Sequence, residues 1–108
     1  MARYEYVILT QAVEGKLEEF ERWYDEVHLR DVLKIPGVVS ARRSRICSIK
    51  NTAVDGPAWN SLAIYELEAD DPEKVKQAIS DAAGTAAMTM SAALEKDGIL
   101  QIIAQPLS

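Results

Sequence analysis

The stretch ERWYDEVHLRDVLKIPGVVSARR, residues 21–43, decides the fold, because a helix, its stop and the start of a strand follow one another within it. Positions three and four apart share one face of an α-helix. That spacing puts Tyr24, His28 and Asp31 on one stripe, continuous with Leu17, Phe20 and Val27, the apolar residues expected to face a core. Pro36-Gly37 ends the helix: proline disfavours helical geometry in the residue before it, and glycine permits a left-handed turn. An apolar helix face carrying the chain's single histidine, with a phenol one turn before it and a carboxylate one turn after, makes this helix the first place to look for a site.

Working outward, YEYVILT at 4–10 is rich in aromatic and β-branched residues and predicts a buried strand. Glu14-Gly15 breaks it, and the helix then spans 16–35, with Glu18, Glu19 and Glu21 placed favourably for its dipole. Residues 38–49 predict a long second strand. On it Val39, Ala41, Arg43, Arg45 and Cys47 point one way and Val38, Ser40, Arg42, Ser44 and Ile46 the other. Residues 50–60 carry Asn, Asp, Gly and Pro and predict a loop, and LAIYEL at 62–67 a third strand. Asp70-Asp71-Pro72-Glu73 is a helix start, with an acidic cap, proline in the first turn and acid behind it. Val75, Ala78, Ile79 and Ala82 give that second helix its apolar stripe. Gly84 interrupts it, a small-residue segment with Met88 and Met90 follows, and ILQIIA at 99–104 predicts the last strand.

The order β-α-β-β-α-β is the split pattern of ferredoxin-like α+β folds: one four-stranded antiparallel sheet with both helices on one face. The strands are apolar on both sides, so the second face of the sheet wants a partner. Two such sheets face to face form a dimeric barrel.

Composition bounds the rest. A chain of 108 residues predicts one domain covering 1–108. The net charge of −5 argues against nucleic acid or an anionic membrane as partner. No stretch approaches the roughly 18 apolar residues of a membrane span, and the first residues lack the pattern of a signal peptide. One cysteine, Cys47, allows no internal disulfide, which fits a reducing cytoplasm. One His and one Cys far apart match no usual metal-ligand pair, and no Gly-rich phosphate loop supports a flavin or nicotinamide. The expectation is therefore a site without cofactor or metal.

The chain resembles the EthD-like members of the dimeric α+β barrel superfamily. The likeness rests on WYDEVHLRDVLKIPGVVSARR at 23–43, LAIYELEADDPE at 62–73 and MSAALEKDG at 90–98, which together cover most of the chain. It departs at Arg30, where such proteins carry proline after the His-Leu pair. The resemblance implies a homodimer whose cavity holds a small, largely apolar molecule. It does not fix a reaction, since relatives across the superfamily include cofactor-free monooxygenases, isomerases, polyketide cyclases, haem enzymes and proteins of no assigned activity.

His28 is the one side chain titrating near neutrality, and so the natural general base or acid. Asp31, or Asp25 on the other side, can orient its ring, and Tyr24 can donate to a developing enolate or phenolate oxygen. Against this stands a His28 that merely satisfies a partner at the edge of the core. Trp23 either lines a pocket or caps an interface, and Trp59 anchors a loop. Met88 and Met90 either form a flexible pocket wall or fill the core. Arg43 and Arg45 bind a carboxylate or phenolate if their shared face looks inward; otherwise they pair with the excess acids. Cys47 is expected to be a buried, inert thiol. Two functions follow: a small cofactor-free enzyme acting on an aromatic or polyketide-like metabolite through His28, Tyr24 and Asp31, or a non-catalytic binding or accessory protein using the same cavity.

Overall fold

The computed structural model describes residues 1–50 and 58–107. Along the chain run β1 (Ala2–Ala12), α1 (Leu17–Trp23), a π turn (Tyr24–His28), α2 (Leu29–Leu33), β2 (Val38–Arg45), β3 (Ser61–Ala69), α3 (Pro72–Ala82) and β4 (Leu94–Ala104). The strands form one antiparallel sheet in the order β2-β3-β1-β4, the ferredoxin-like arrangement predicted from the element order. Most of the 50–60 loop lies outside the described residues; Asn60 closes its far end, donating from its backbone N–H to Thr10 O and accepting from Ala12 N through Oδ1.

Strand alternation sorts the side chains. Tyr6, Ile8 and Thr10 of β1 and Ala63, Tyr65, Leu67 and Ala69 of β3 are buried beneath the helices. Phe20, Tyr24 and Val32 from the first helical segment, with Val75 and Ile79 from α3, close the core from above. The other sheet face carries an apolar grid. Val7 pairs with Ile64 on one side and Ile102 on the other, and Leu9 with Leu62 and Leu100. Among the described residues no helix covers that grid, and Leu100 and Ile102 stay exposed. Arg3, paired with Glu66 and Glu68, gives the grid a charged margin.

Three local details depart from simple periodicity. Of the predicted stripe of Leu17, Phe20, Tyr24, Val27, His28 and Asp31, Phe20, Tyr24 and His28 are buried and Val32 joins them, while Leu17 and Val27 are exposed. The cause is the π turn, in which Leu29 N–H donates to Tyr24 O, five residues back. A π turn holds more residues than an α turn, so it resets the phase of everything after it. In β2 the register slips between Val38 and Ser40, a bulge that packs Val38 against the core and leaves Val39 exposed, reversing their expected faces. The strand ends at Arg45, so Cys47 lies beyond it and is exposed rather than buried. β4 starts five residues earlier than its apolar run, with an irregularity opposite Leu9 and Gln11.

The helix boundaries follow the sequence signals. Asp71 caps α3, its carboxylate accepting from Glu73 N at 3.0 Å, with Pro72 first in the helix. Gly37 adopts φ +99°, and a Cβ there would meet Val75 Cγ2 at 2.8 Å. The helix stop must therefore be glycine twice over, once for the turn and once for the approach of α3.

The reset phase is open to test by urea titration at one protein concentration. Phe20→Ala should cost about 3–5 kcal/mol and Glu19→Ala little. Val32→Ala should cost about 2 kcal/mol, and Val27→Ala less than about 0.5 kcal/mol. Equal midpoints for the two valine variants would mean that the helix is not reset.

Candidate functional site

The π turn decides which rings meet. In a regular α-helix, side chains five apart diverge; here His28 has neighbours both four and five residues before it. Its ring stacks on Trp23 with centroids 4.6 Å apart and 25° between planes, and Tyr24 meets it edge-on at 5.1 Å. Trp23 is held in turn by its indole N–H, which donates to Thr89 O at 3.0 Å. His28 is 7% exposed, and its Nδ1 is buried with no protein hydrogen-bond partner.

His28, Trp23 and Tyr24 form one wall of a cavity of about 120 Å³ between helices and sheet. That is several times the roughly 10–15 Å³ a single water needs. Ile8, Ile79 and Leu94 make its apolar surface, and Met88 and Met90 also line it. Met88 is fully buried and Met90 half-buried, so the methionines are core and cavity wall at once. Polar groups are few: Thr10, Ser80, and the Tyr6–Gln101 pair, in which the phenol donates to Gln101 Oε1 at 2.8 Å.

Burial dominates the electrostatics. It lowers the His28 pKa to about 4, with the nearby Asp31 carboxylate pulling the other way, so the imidazole is neutral at physiological pH. Burial pushes the Tyr6 phenol up to about 12. Tyr24 and Tyr65 are raised for the same reason, and both stay neutral hydroxyls. The Tyr24 hydroxyl lies against those of Tyr65 and Thr10. These contacts fall short of well-formed bonds, because Tyr65 Oη and Thr10 Oγ1 are both buried without a satisfied partner.

Two expected residues stand elsewhere. Asp31 does not line the cavity: the reset helix puts Val32 on the buried stripe, and Asp31 on its flank reaches His28 only through its charge. Arg43 does not line it either. Its guanidinium forks onto the Asp25 carboxylate at 2.7 and 2.9 Å and donates to Ser61 Oγ at 3.2 Å. Arg45 forks onto Glu21 in the same way. These pairs clamp α1 and the π turn to β2, and the Arg43 guanidinium sits 5.4 Å from the centre of the Tyr24 ring. Trp59 is a loop anchor, donating to Gly98 O at 2.7 Å. Sequence reasoning missed Thr10, Tyr6 and Gln101. Their signal was a polar group at an inward strand position, readable once the register of β1 against β4 is known.

No family model matches the sequence, and no curated protein matches it. Solved structures are similar throughout. An ethyl tert-butyl ether D (EthD) family protein from Bacillus halodurans is 21% identical with a TM-score of 0.62, covering 97% of this chain and 99% of that one. A candidate monooxygenase from Shewanella loihica is 13% identical at a TM-score of 0.63, over 99% and 96% of the two chains. A dimeric ferredoxin-like protein of unknown function from a Jannaschia species is 13% identical at 0.57, over 97% and 100%. At such identities the likeness establishes the fold. An EthD family protein is thus among the chain's structural neighbours, as the sequence resemblance led one to expect.

The depressed His28 has a signature in stability. Its pKa is about 4 when folded against 6.5 for a free histidine, so the unfolded chain binds the extra proton between those values. Stability from the neutral ring is fully present above pH 6.5 and is lost as pH falls towards 4. The loss should approach about 3 kcal/mol. His28→Gln should remove that part of the slope, measured as urea stability across the window. An unchanged slope would show that His28 is not buried neutral.

Proposed function

We propose that the cavity holds a small, largely apolar molecule and that His28 acts on it as the general acid–base residue of a cofactor-free enzyme, of the cyclase, isomerase, dehydratase or monooxygenase type. The observation that carries this reading is His28 Nδ1, a buried polar atom of a neutral imidazole with no protein partner, in a residue that lines an apolar cavity. Such a ring can accept a proton without first losing one. It is a weak base at rest, so transfer is favourable only when the bound molecule develops negative charge beside it. In this reading Tyr24, edge-on to the His28 ring, donates to that charge, and Asp31 supports the imidazolium from the flank. The low basicity is also the observation that favours the second reading, a non-catalytic binding or accessory protein for the same molecule.

The reading extends to assembly. The apolar grid of Val7, Leu9, Leu62, Ile64, Leu100 and Ile102 is proposed to pack against the same grid of a second copy of the chain about a two-fold axis. A dimeric ferredoxin-like neighbour supports this. The single thiol supports placement in a reducing cytoplasm.

Mass spectrometry of an extract from the purified protein should identify the bound molecule. With it as substrate, His28→Gln should lower turnover by at least about a hundredfold while affinity changes by a small factor. Retained turnover would overturn the catalytic assignment in favour of the binding protein. Light scattering at micromolar concentration should give twice the chain mass, and a monomer would refute the proposed cover of the grid.

A further inference from the structure

The polar groups on the cavity are unbalanced in a way that limits what it can hold. The hydroxyls of Thr10, Tyr24 and Tyr65 lie together beside the cavity; Thr10 and Tyr24 are among its lining residues and Tyr65 is not. Each hydroxyl supplies one proton, and a chain of three leaves its last proton without an acceptor. Gln101 Oε1, another acceptor among the lining residues, is already taken by Tyr6. Thr10 Oγ1 and Tyr65 Oη are buried and unsatisfied, and so is His28 Nδ1 on the same wall. The cavity thus offers hydroxyl donors beside a ring that can take a proton.

Charge narrows the class further. Among the described residues no Lys or Arg lines the cavity, and Arg43, whose guanidinium lies over the Tyr24 ring, is paired with Asp25. A permanently charged carboxylate or phosphate would enter with no counter-ion and lose its hydration. A neutral molecule with a weakly acidic hydroxyl meets neither penalty. It enters uncharged, and charge arises only by transfer within the site.

Resting on the small-molecule reading above, we propose that the bound molecule carries a phenol or enol hydroxyl whose ionised oxygen is received by the hydroxyls of Thr10 and Tyr24 while His28 takes the proton. The O–H bond of the molecule breaks, its electron pair stays on oxygen, and an N–H bond forms on the imidazole; the site remains neutral as a whole. Tyr65 is a positioning residue: its hydroxyl donates to the Tyr24 oxygen and turns the Tyr24 proton towards the bound molecule.

Para-nitrophenol, whose ionised form is yellow, tests this against its methyl ether, para-nitroanisole, which cannot ionise. In buffer below the free phenol's pKa, wild-type protein should bind the phenol with appearance of the phenolate band. Thr10→Val should weaken phenol binding about tenfold or more, the usual effect of removing a hydrogen bond to a charged group. Thr10→Ser, which keeps the hydroxyl, should restore it. Tyr65→Phe should reduce the phenolate band at saturation, and His28→Gln should abolish it. The ether should bind all four variants alike, which shows that they are folded. If phenol and ether bind every variant equally and the phenol stays colourless, the cavity reading stands and the hydroxyl proposal falls. If neither probe binds the folded protein, the small-molecule reading falls and this proposal with it.

Discussion

The wide turn at Tyr24–His28 is the constraint on which the site depends. In a straight α-helix, residues five apart point about 140° away from each other, so Trp23 and His28 could not stack. The bond from Leu29 N–H to Tyr24 O opens the turn, and the imidazole then lies against an indole and a phenol from its own helix. The same opening keeps Phe20, Tyr24, His28 and Val32 on one buried line over the sheet. One backbone irregularity therefore sets the core packing, the dryness of the histidine and the wall of the cavity. π turns recur at functional positions because they move a side chain without interrupting the helix around it.

The arginines explain how the cavity stays free of charge although β2 points two guanidinium groups towards the helices. Arg43 and Arg45 are drawn off by Asp25 and Glu21, which the helix presents on the side facing β2. The Arg43 side chain is nearly buried, and fork geometry lets one carboxylate satisfy two of its donors. Asp25 and Glu21 are held below the usual carboxylate range by these partners. What remains of Arg43 in the site is its field across the Tyr24 ring, which opposes the upward push of burial on that phenol.

Much of the architecture was legible in the sequence because it rests on local chemistry. Pro36-Gly37 stops a helix wherever it stands, and Asp71-Pro72 starts one. Apolar runs between such signals gave the four strands and their order. What was not legible depends on register and phase, which single residues can shift. A residue added to one helical turn moved Val27 and Asp31 off the core line, and one extra residue in β2 exchanged the faces of Val38 and Val39. Tyr24, His28, Trp23 and the methionines do share a cavity, but Arg43 and Asp31 do not reach it. Thr10 was hidden because a threonine at the end of a strand is ordinary until the residues above it are known. Its importance comes from Tyr24 and Tyr65, fourteen and fifty-five positions further along.

The unsatisfied atoms bear on why this core is built with a gap at all. A buried polar group without a partner costs about 1–3 kcal/mol, and a domain's whole stability is only about 5–15 kcal/mol. Valine at Thr10 and phenylalanine at Tyr65 would keep nearly the same shapes and remove two such groups, and leucine at His28 would remove a third. A fold selected for stability alone would favour those residues, since hydrophobic side chains of similar volume pack at little cost. Instead three buried polar atoms lack partners in and beside the wall of the cavity, while Arg43 and Arg45 are paired with Asp25 and Glu21. Proteins give up stability of this kind mainly where a bound molecule returns it, because binding to the folded state alone shifts the folding equilibrium towards that state. On the proposed function, the gap, the unpartnered hydroxyls and the neutral imidazole are parts of one device, completed by the molecule that fills it.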